Sequence, residues 1–439
     1  MLTSKGGRTL LHDIRLVILD EVHAVVGSKR GTHLATAIER VAHRSGEFQR
    51  IALSATVHPA EEVARFVGGY RADGTPRPVA IVRPTLRKDV ALEVEPLPPA
   101  PSPESSTWEV LAHRLLEIID RNRSVVIFVN SRRLSETLAA QINKLAEADE
   151  PVAYAHHGSL ARDVRLDVEQ RLKAGRLKAI VATSTLEMGI DIGELDEVIL
   201  VQAPHSVASA TQRIGRAGHN VGDTSRGTLM ATHARDLLEL AVLGHLVITN
   251  DLEAVVPLEQ PLDVLTQVIL SMVIDEEWHL DDVYAVVRAS YPYRTLSRPL
   301  FDSVIAMLCG RYEHVRVREL KPRITVDTER GTAVARRGAA QLLYANGGTI
   351  PDRGLYHMRH AATRERLGEL DEEFVWENGP GSRFAFGNSR WIVERVTHSD
   401  VLVRPYGGRA AVPFWKAGKT IARRQYSGLT RAIPAHFVD

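Results

Sequence analysis

The feature that most constrains this chain is a short unbroken apolar run closed by carboxylates, Leu16-Val17-Ile18-Leu19 followed at once by Asp20-Glu21-Val22-His23. Four apolar residues with no alternation read as a strand buried on both faces, the habit of parallel sheets covered by helices. A second strand is expected over Arg50–Leu53, ending in Ser54-Ala55-Thr56, with a helix over Thr32–Ala42 between the two. Side chains at the carboxyl ends of such strands point into the crevice where these sheets bind ligands. An aspartate there can hold Mg²⁺ on the phosphates of a nucleotide, and the glutamate beside it can polarise the attacking water. Asp20 and Glu21 are therefore candidate catalytic residues, with Asp20 meeting the metal through the nucleotide. Taken alone, the pair reads more readily as a polar strand end followed by a helix cap.

A length of 439 residues predicts three or four domains, and 44% hydrophobic with 25% charged residues excludes a disordered chain. The single cysteine, Cys309, excludes an internal disulfide and suits a reducing, cytoplasmic setting. No apolar run approaches the roughly 18–20 residues that span a bilayer, so no membrane partner is expected. The net charge of +1 gives no global basic surface, so any nucleic-acid face must be local, with the arginines between 404 and 424 as one candidate stretch.

Composition shifts mark the domain order. Residues 1–92 carry the two strands above, and Pro96, Pro98, Pro99, Pro101 and Pro103 make 93–106 a linker. A second α/β unit is expected over 107–250, with strands at Val125–Val129, Ala179–Ala182 and Val198–Val201. Its helices are marked by Leu134, Leu138, Ile142 and Leu145, and by Val164, Val168 and Leu172, the latter with Gly175 as C-cap. Three amphipathic helices around Leu265–Ile274, Leu280–Ala289 and Pro299–Leu308, then alternating sequence over Val315–Val326, predict a winged helix over 257–322. From 323 to 439 the period is mostly two, and Phe384–Phe386, Trp391–Val393 and Val401–Val403 predict a small, incomplete antiparallel β-barrel or sandwich.

Further chemistry follows in order along the chain. The hydroxyls of Ser54 and Thr56 can relay the state of a phosphate site to a neighbouring domain. Gln212-Arg213-Ile214-Gly215-Arg216-Ala217-Gly218-His219 sets two arginines three residues apart on one helical face. Arginines supplied across a cleft can neutralise charge on a transferred phosphoryl group. Isolated, each of these stretches is an ordinary loop or basic turn. Together they resemble superfamily 2 helicases: Asp20–His23 as motif II, Ser54–Thr56 as motif III, Val126–Arg132 as motif IV, Val181–Gly193 as motif V and Gln212–His219 as motif VI. More closely, the chain resembles the Lhr (large helicase-related) group. The residues that carry this are Thr56-Val57-His58-Pro59, Leu186–Gly193, Arg216-Ala217-Gly218-His219, Asn346–Pro351, Leu367–Phe374 and Pro413-Phe414-Trp415.

The resemblance implies an α/β fold: part of one RecA-like domain, a complete second one, a winged helix and a β-barrel. It implies an ATP- and Mg²⁺-dependent 3′-to-5′ translocase on single-stranded DNA that unwinds DNA or RNA:DNA duplexes and is linked to DNA repair. On the matching positions, His23 and Thr56 would couple the cleft to the strand, and Arg213 and Arg216 would reach the γ-phosphate. Gln212 would hold the cleft closed and Asp191 would touch the ribose, with Gly189 in the same motif. Ser131, Arg132, His157, Gly158 and Thr183 would contact the strand through its phosphates, which positions nucleic acid without reading sequence. Trp415 is a candidate base-stacking residue and Ile350 a coupling wedge. Trp391, flanked by Ile392 and Val393, reads as a barrel filler. The neighbouring His156 and His157 do not have metal-ligand spacing.

Two departures from the family pattern carry expectations. No Gly-x₄-Gly-Lys-Ser/Thr turn precedes Asp20, and Gly418-Lys419-Thr420 is not one, because Pro413 stands where its first glycine belongs. Met1–Ser4 resembles an internal stretch, and residues 418–439 do not resemble the family. The expectation is a chain truncated at its N-terminus, inactive alone as an ATPase, with an open sheet edge in residues 1–92. The alternatives are a nucleic-acid-binding remnant or a partner to a separately encoded N-terminal half.

Overall fold

The computed structural model describes residues 2–407, apart from 56, 84–88, 101, 103, 159–161, 188–194, 219–223, 275, 312–320, 346, 351–354, 372–374, 377, 387–388 and 398. The chain divides into two compact units, with the boundary between Gly347 and Gly348.

In the first unit, α1 (Lys5–Leu10) leads into β1 (Leu16–Leu19), a 3-10 turn over Val22–Ala24, α2 (Lys29–Ser45), β2 (Gln49–Ala52) and α3 (Ala60–Gly68). Strands β1 and β2 pair in parallel with Ile18 opposite Ile51. Helix α2 begins where the Ser28 hydroxyl accepts from the Gly31 N–H, an N-cap that satisfies one free donor of the first turn. Gly31 is required by close approach, since a Cβ there would stand 2.0 Å from the Val25 carbonyl oxygen. Val17 and Leu19 face a core that includes Ala35, Ile38, Val63 and Phe66. Leu16, Ile18, Ile51 and Leu53 are exposed, so one side of this two-stranded sheet presents apolar residues to solvent.

The next domain contains β3 (Val90–Glu95), α4 (Thr107–Arg121), β4 (Val125–Phe128), α5 (Arg132–Ala146), β5 (Ala153–His156) and α6 (Arg162–Lys173). It continues with β6 (Ala179–Ala182), a 3-10 turn over Ser184–Leu186, β7 (Glu197–Val201), α7 (Val207–Ile214), β8 (Ser225–Met230) and α8 (Ala234–Thr249). All strand pairs are parallel, in the order β3-β8-β7-β4-β6-β5. Strands β4, β6 and β7 are wholly buried, with helices covering both faces, as their unbroken apolar runs require. The expected boundary at 92 is corrected: Val90–Glu95 pairs with β8 along its whole length, and Val90, Leu92 and Val94 pack on this domain's core. An edge strand needs only alternate apolar residues, which makes it easy to assign to the preceding segment. The proline-rich connection starts after it.

Helices α9 (Leu262–Met272), α10 (Leu280–Ala289) and α11 (Arg298–Leu308) share one core with β9 (Trp278–His279), β10 (Ile324–Asp327), β11 (Thr332–Ala335) and α12 (Ala339–Ala345). The three strands form an antiparallel sheet ordered β10-β11-β9, the wing on the helices. This unit therefore runs past the expected limit at 322, because Ile324, Ala333 and Ala339 are buried against α9–α11. The first half of the strand expected over 315–326 lies outside the described residues, and its end falls in β10. Helix α2 packs on α9 and α10. Arg40 Nη1 donates to Ser271 Oγ at 2.7 Å and Nη2 donates to the Ser271 carbonyl at 3.3 Å. Lys29 pairs with Asp263 at 2.6 Å, and Arg44 pairs with Glu276. Among the described residues no helix is long and apolar enough to cross a membrane.

The second unit holds β12 (Leu355–His360), β13 (Arg366–Asp371), β14 (Arg383–Phe386), β15 (Ser389–Val396) and β16 (Asp400–Pro405). They form one sheet, ordered β13-β12-β16-β15-β14, over a core of Met358, Leu370, Val375, Phe384, Val393, Val401 and Val403. The sheet is not purely antiparallel, since β12 and β16 run parallel. Trp391 packs against this core, whereas Trp376 is exposed.

Candidate nucleotide cleft and strand-binding loops

Asp20 follows β1 directly and is exposed, and its Oδ1 accepts from the Glu21 N–H at 2.8 Å. Glu21 takes left-handed backbone angles, φ 51° and ψ 41°, a conformation that costs a non-glycine residue roughly 1–2 kcal/mol. The neighbouring strands hold it there: the Val22 N–H donates to the Leu53 carbonyl at 3.1 Å, and the Leu53 N–H to the Leu19 carbonyl at 2.8 Å. Strain concentrated at a strand-end carboxylate points to a functional position. His23 Nδ1 accepts from the Ala55 N–H at 3.1 Å and lies 3.4 Å from Ser54 Oγ, so the proton of the neutral ring sits on Nε2, 3.3 Å from Glu21 Oε2. Burial lowers the His23 pKa, against the charges of Glu21, Glu187 and Asp20, which raise it. The ring thus joins the carboxylate turn to the loop after β2.

Glu187, just past the 3-10 turn of the second domain, is therefore close enough to act electrostatically on His23. It also anchors both arginines. Arg213 Nε and Nη2 each donate to Glu187 Oε2 at 3.2 Å, and Arg216 Nη2 donates to the Glu187 carbonyl at 2.6 Å. The Arg213 guanidinium lies 5.1 Å over the Phe128 ring and is 5% exposed. Burial lowers its pKa and Glu187 opposes that shift. The expectation of one shared helical face is corrected. Helix α7 ends at Ile214, and Arg216 follows the cap residue Gly215 in a turn whose N–H donates to the Arg213 carbonyl at 3.1 Å. Convergence on Glu187, not helical spacing, brings the two arginines together. Gln212 precedes them in α7 and is half-buried.

The loops expected to hold a strand lie at the carboxyl ends of β4, β5 and β6. Ser131 caps α5, its hydroxyl accepting from the Leu134 N–H at 3.1 Å, and Arg132 opens that helix with its side chain exposed. Gly158 is exposed, and the Thr183 N–H donates to the His156 carbonyl at 3.1 Å. His157 departs from expectation. Its side chain is not offered to solvent, being 6% exposed with Nε2 2.8 Å from Glu136 Oε1. Only the backbone of 157–158 remains available there.

Thr56, Gly189, Asp191 and Trp415 lie outside the described residues. Ile350 is exposed at the start of the second unit. Sequence reading assigned no role to Glu187, His156, Glu169 or Glu136. Glu187 lay within a quoted motif and His156 beside a chosen residue, but nothing local marks which carboxylate an arginine will reach. The donor chemistry suits a magnesium nucleotide: a hard carboxylate oxygen at a strand end, and two guanidinium groups gathered on Glu187.

Parallel α/β segments that carry a strand-end Asp-Glu-x-His and a cluster of arginines, joined to a winged helix, define a helicase-type motor core. Residues 1–65 match the DEAD/DEAH box helicase family, residues 110–220 the helicase conserved C-terminal domain, and residues 245–412 the winged helix domain of the large helicase-related protein. Along most of its length the chain is similar to the large helicase-related (Lhr) proteins. It is 40% identical to a Lhr helicase/probable uracil glycosylase of Mycolicibacterium smegmatis, over 96% of this chain and 30% of the relative. It is 37% identical to ATP-dependent helicase Lhr-Core protein 2 of Thermococcus barophilus, over 92% of this chain and 47% of that one. The chain thus spans between about a third and a half of these relatives. A solved structure of Mycobacterium smegmatis helicase Lhr bound to ssDNA and AMP-PNP superposes with a TM-score of 0.75 at 40% identity, covering 89% of this chain and 50% of that chain.

Proposed function

We propose that this chain is the hydrolysis-sensing and strand-holding part of an ATP-dependent translocase. By this reading it moves 3′-to-5′ on single-stranded DNA, unwinds DNA or RNA:DNA duplexes and serves DNA repair. Asp20 would hold Mg²⁺ through the nucleotide phosphates, and Glu21 would orient and polarise the attacking water. Arg213 and Arg216 would bring positive charge to the transferred phosphoryl group. His23, bonded to the loop at 54–55, would pass the state of that turn onward with Thr56. Gln212 would hold the cleft closed, and Gly189 and Asp191 would meet the nucleotide. Ser131, Arg132, Thr183 and the backbone of 157–158 would grip strand phosphates, with Trp415 stacking on a base and Ile350 acting as a wedge. The observation that carries the reading is the meeting of both arginines on Glu187, a residue that also acts on His23 of the Asp-Glu turn. The relatives named above, described as helicases, one of them ATP-dependent and another solved bound to ssDNA and AMP-PNP, support it.

A second reading is a nucleic-acid-binding protein that does not itself turn over ATP. The 439 residues hold no Gly-x₄-Gly-Lys-Ser/Thr turn, and the apolar side of the β1–β2 sheet is open to a covering layer. A separately encoded segment bearing that turn would then complete the site. Binding of labelled oligo(dT) at two salt concentrations, with ATP turnover measured with and without DNA, decides between them. DNA-stimulated turnover abolished by Glu21→Gln supports the first reading for this chain alone. Salt-dependent binding without turnover supports the second, and absence of both rejects the two together.

A further inference from the structure

His156 ends β5 with its side chain 1% exposed and both ring nitrogens in hydrogen-bonding contact. Nε2 lies 2.9 Å from Glu169 Oε1 on α6, and Nδ1 lies 2.8 Å from Thr185 Oγ1 in the Ser184–Leu186 turn. An ionised carboxylate only accepts, so the ring donates from Nε2; the neutral ring then accepts the Thr185 hydroxyl at Nδ1. That hydroxyl is farther from the His156 carbonyl, 3.3 Å, which favours the ring as its acceptor. The same carbonyl takes the Thr183 N–H at 3.1 Å. One residue therefore ties the 183–185 turn to β5 by backbone and side chain, and ties both to α6.

The next residue points the other way, as consecutive strand-end side chains do, and His157 meets Glu136 on α5. The start of α5, the backbone at 157–158 and the 183–185 turn are the three places assigned above to strand phosphates. These two imidazoles are bonded to all three elements. The loop and the turn lie close together, since a Cβ added at Gly158 would meet Thr185 Cγ2 at 3.9 Å. A buried, fully bonded histidine is ordinarily only a core residue. Here its partners lie on elements that share a single substrate, so the bond geometry sets the separation of two phosphate-binding points. Groups that act together on a ligand must be held to within about half an ångström.

The geometry points to His156 as a positioning residue for nucleic-acid binding, one that uses Glu169 and Thr185 to hold the 157–158 loop and the 183–185 turn at the spacing that grips successive phosphates. This rests on the reading of the chain as a single-strand binder. The test is fluorescence anisotropy of labelled oligo(dT) with the whole chain, over a series of salt concentrations, with circular dichroism melting as the folding control. His156→Ala lowers affinity about tenfold, the value of one lost phosphate hydrogen bond, and leaves the slope of log K against log salt unchanged, because the contacts it positions are uncharged. Thr185→Val, which removes only a hydroxyl, lowers affinity in the same direction with an unchanged melting curve. Glu169→Gln keeps an acceptor oxygen and binds nearly as the parent does, whereas Glu169→Ala behaves as His156→Ala. Parent-like affinity in both His156→Ala and Thr185→Val overturns the proposal and leaves the binding reading intact. A loss of affinity accompanied by an equally lowered melting curve in every variant also overturns it. A parent chain that binds no oligo(dT) at low salt overturns the binding reading and this proposal with it.

Discussion

Arg213 donates twice to a single oxygen of Glu187, from Nε and from Nη2, each at 3.2 Å. The pair is nearly buried, and the Phe128 ring 5.1 Å from the guanidinium leaves that side without water. Desolvation and the carboxylate therefore act against each other on the arginine, and Glu187 offsets part of the cost of burying its charge. Removing one partner of such a pair leaves an uncompensated charge, which costs more than the pair itself contributes.

Glu187→Ala is thus expected to destabilise the second α/β domain by roughly 3 kcal/mol, and Glu187→Gln, which keeps an acceptor, by about 1 kcal/mol. Urea unfolding of the parent and both variants measures this. An alanine variant within about 0.5 kcal/mol of the parent shows that the pair is solvated and adds little.

The His23 ring makes stability depend on pH. Burial depresses its pKa below the ordinary histidine value, and His33 is depressed for the same reason with Arg40 adding to the effect. As pH falls below about 6.5 the unfolded rings take up protons first, so the unfolded state binds more protons and stability drops. The contribution is full above that pH and is lost as pH falls through the folded values. Urea midpoints at pH 7.5 and 5.5 should differ less in His23→Gln than in the parent, and less again in the double variant with His33→Gln. Equal differences in all three proteins would count against burial as the cause.

Arg40 and Ser271 join the first α/β segment to the winged helix. Burial, with Arg44 beside it, pushes the Arg40 guanidinium down to about 10, against the pull of Glu276. Ser271→Val removes the hydroxyl and leaves a buried charged donor short of a partner, an expected loss of about 1–3 kcal/mol. Arg40→Met in the same chain removes the unmet donor, so the double variant should recover most of the loss. Additive losses in the double variant would show that the two side chains act independently.

The exposed residues Leu16, Ile18, Ile51 and Leu53 make one side of the β1–β2 sheet a surface for association. Ile18→Lys is expected to reduce concentration-dependent scattering while changing stability by no more than about 0.5 kcal/mol. Unchanged scattering would place the association surface elsewhere.

Much of the fold was legible in local pattern. Val125–Phe128 is a central strand because a parallel strand with helices on both sides needs apolar residues at every position. Gly175 after α6 acts locally, through a positive φ of 67°, and was readable for that reason, whereas the Ser28 cap that starts α2 ahead of the expected Thr32 was not read. Val90–Glu95 was harder, because only alternate residues of an edge strand face a core, and its partner β8 lies far along the chain. The parallel pairing of β12 with β16 was likewise invisible, since a period of two does not say which way a neighbour runs.

The amino-acid sequence by itself determined the candidate catalytic groups: carboxylates ending an apolar strand at Asp20-Glu21, hydroxyls ending the next, and arginines around a glycine at 213–216. Those are short-range facts, because strand ends and turns present whatever residue occupies them. Tertiary structure alone decided the partners. Glu187 became the common anchor of two arginines that do not share a helix, His157 turned inward to Glu136, and His156 came to bridge two loops. Each of these bonds joins residues 21–29 positions apart, except for the 13-residue reach from His156 to Glu169. No periodicity records such pairings. They arise when helices pack onto both faces of a sheet and the buried charges must find one another.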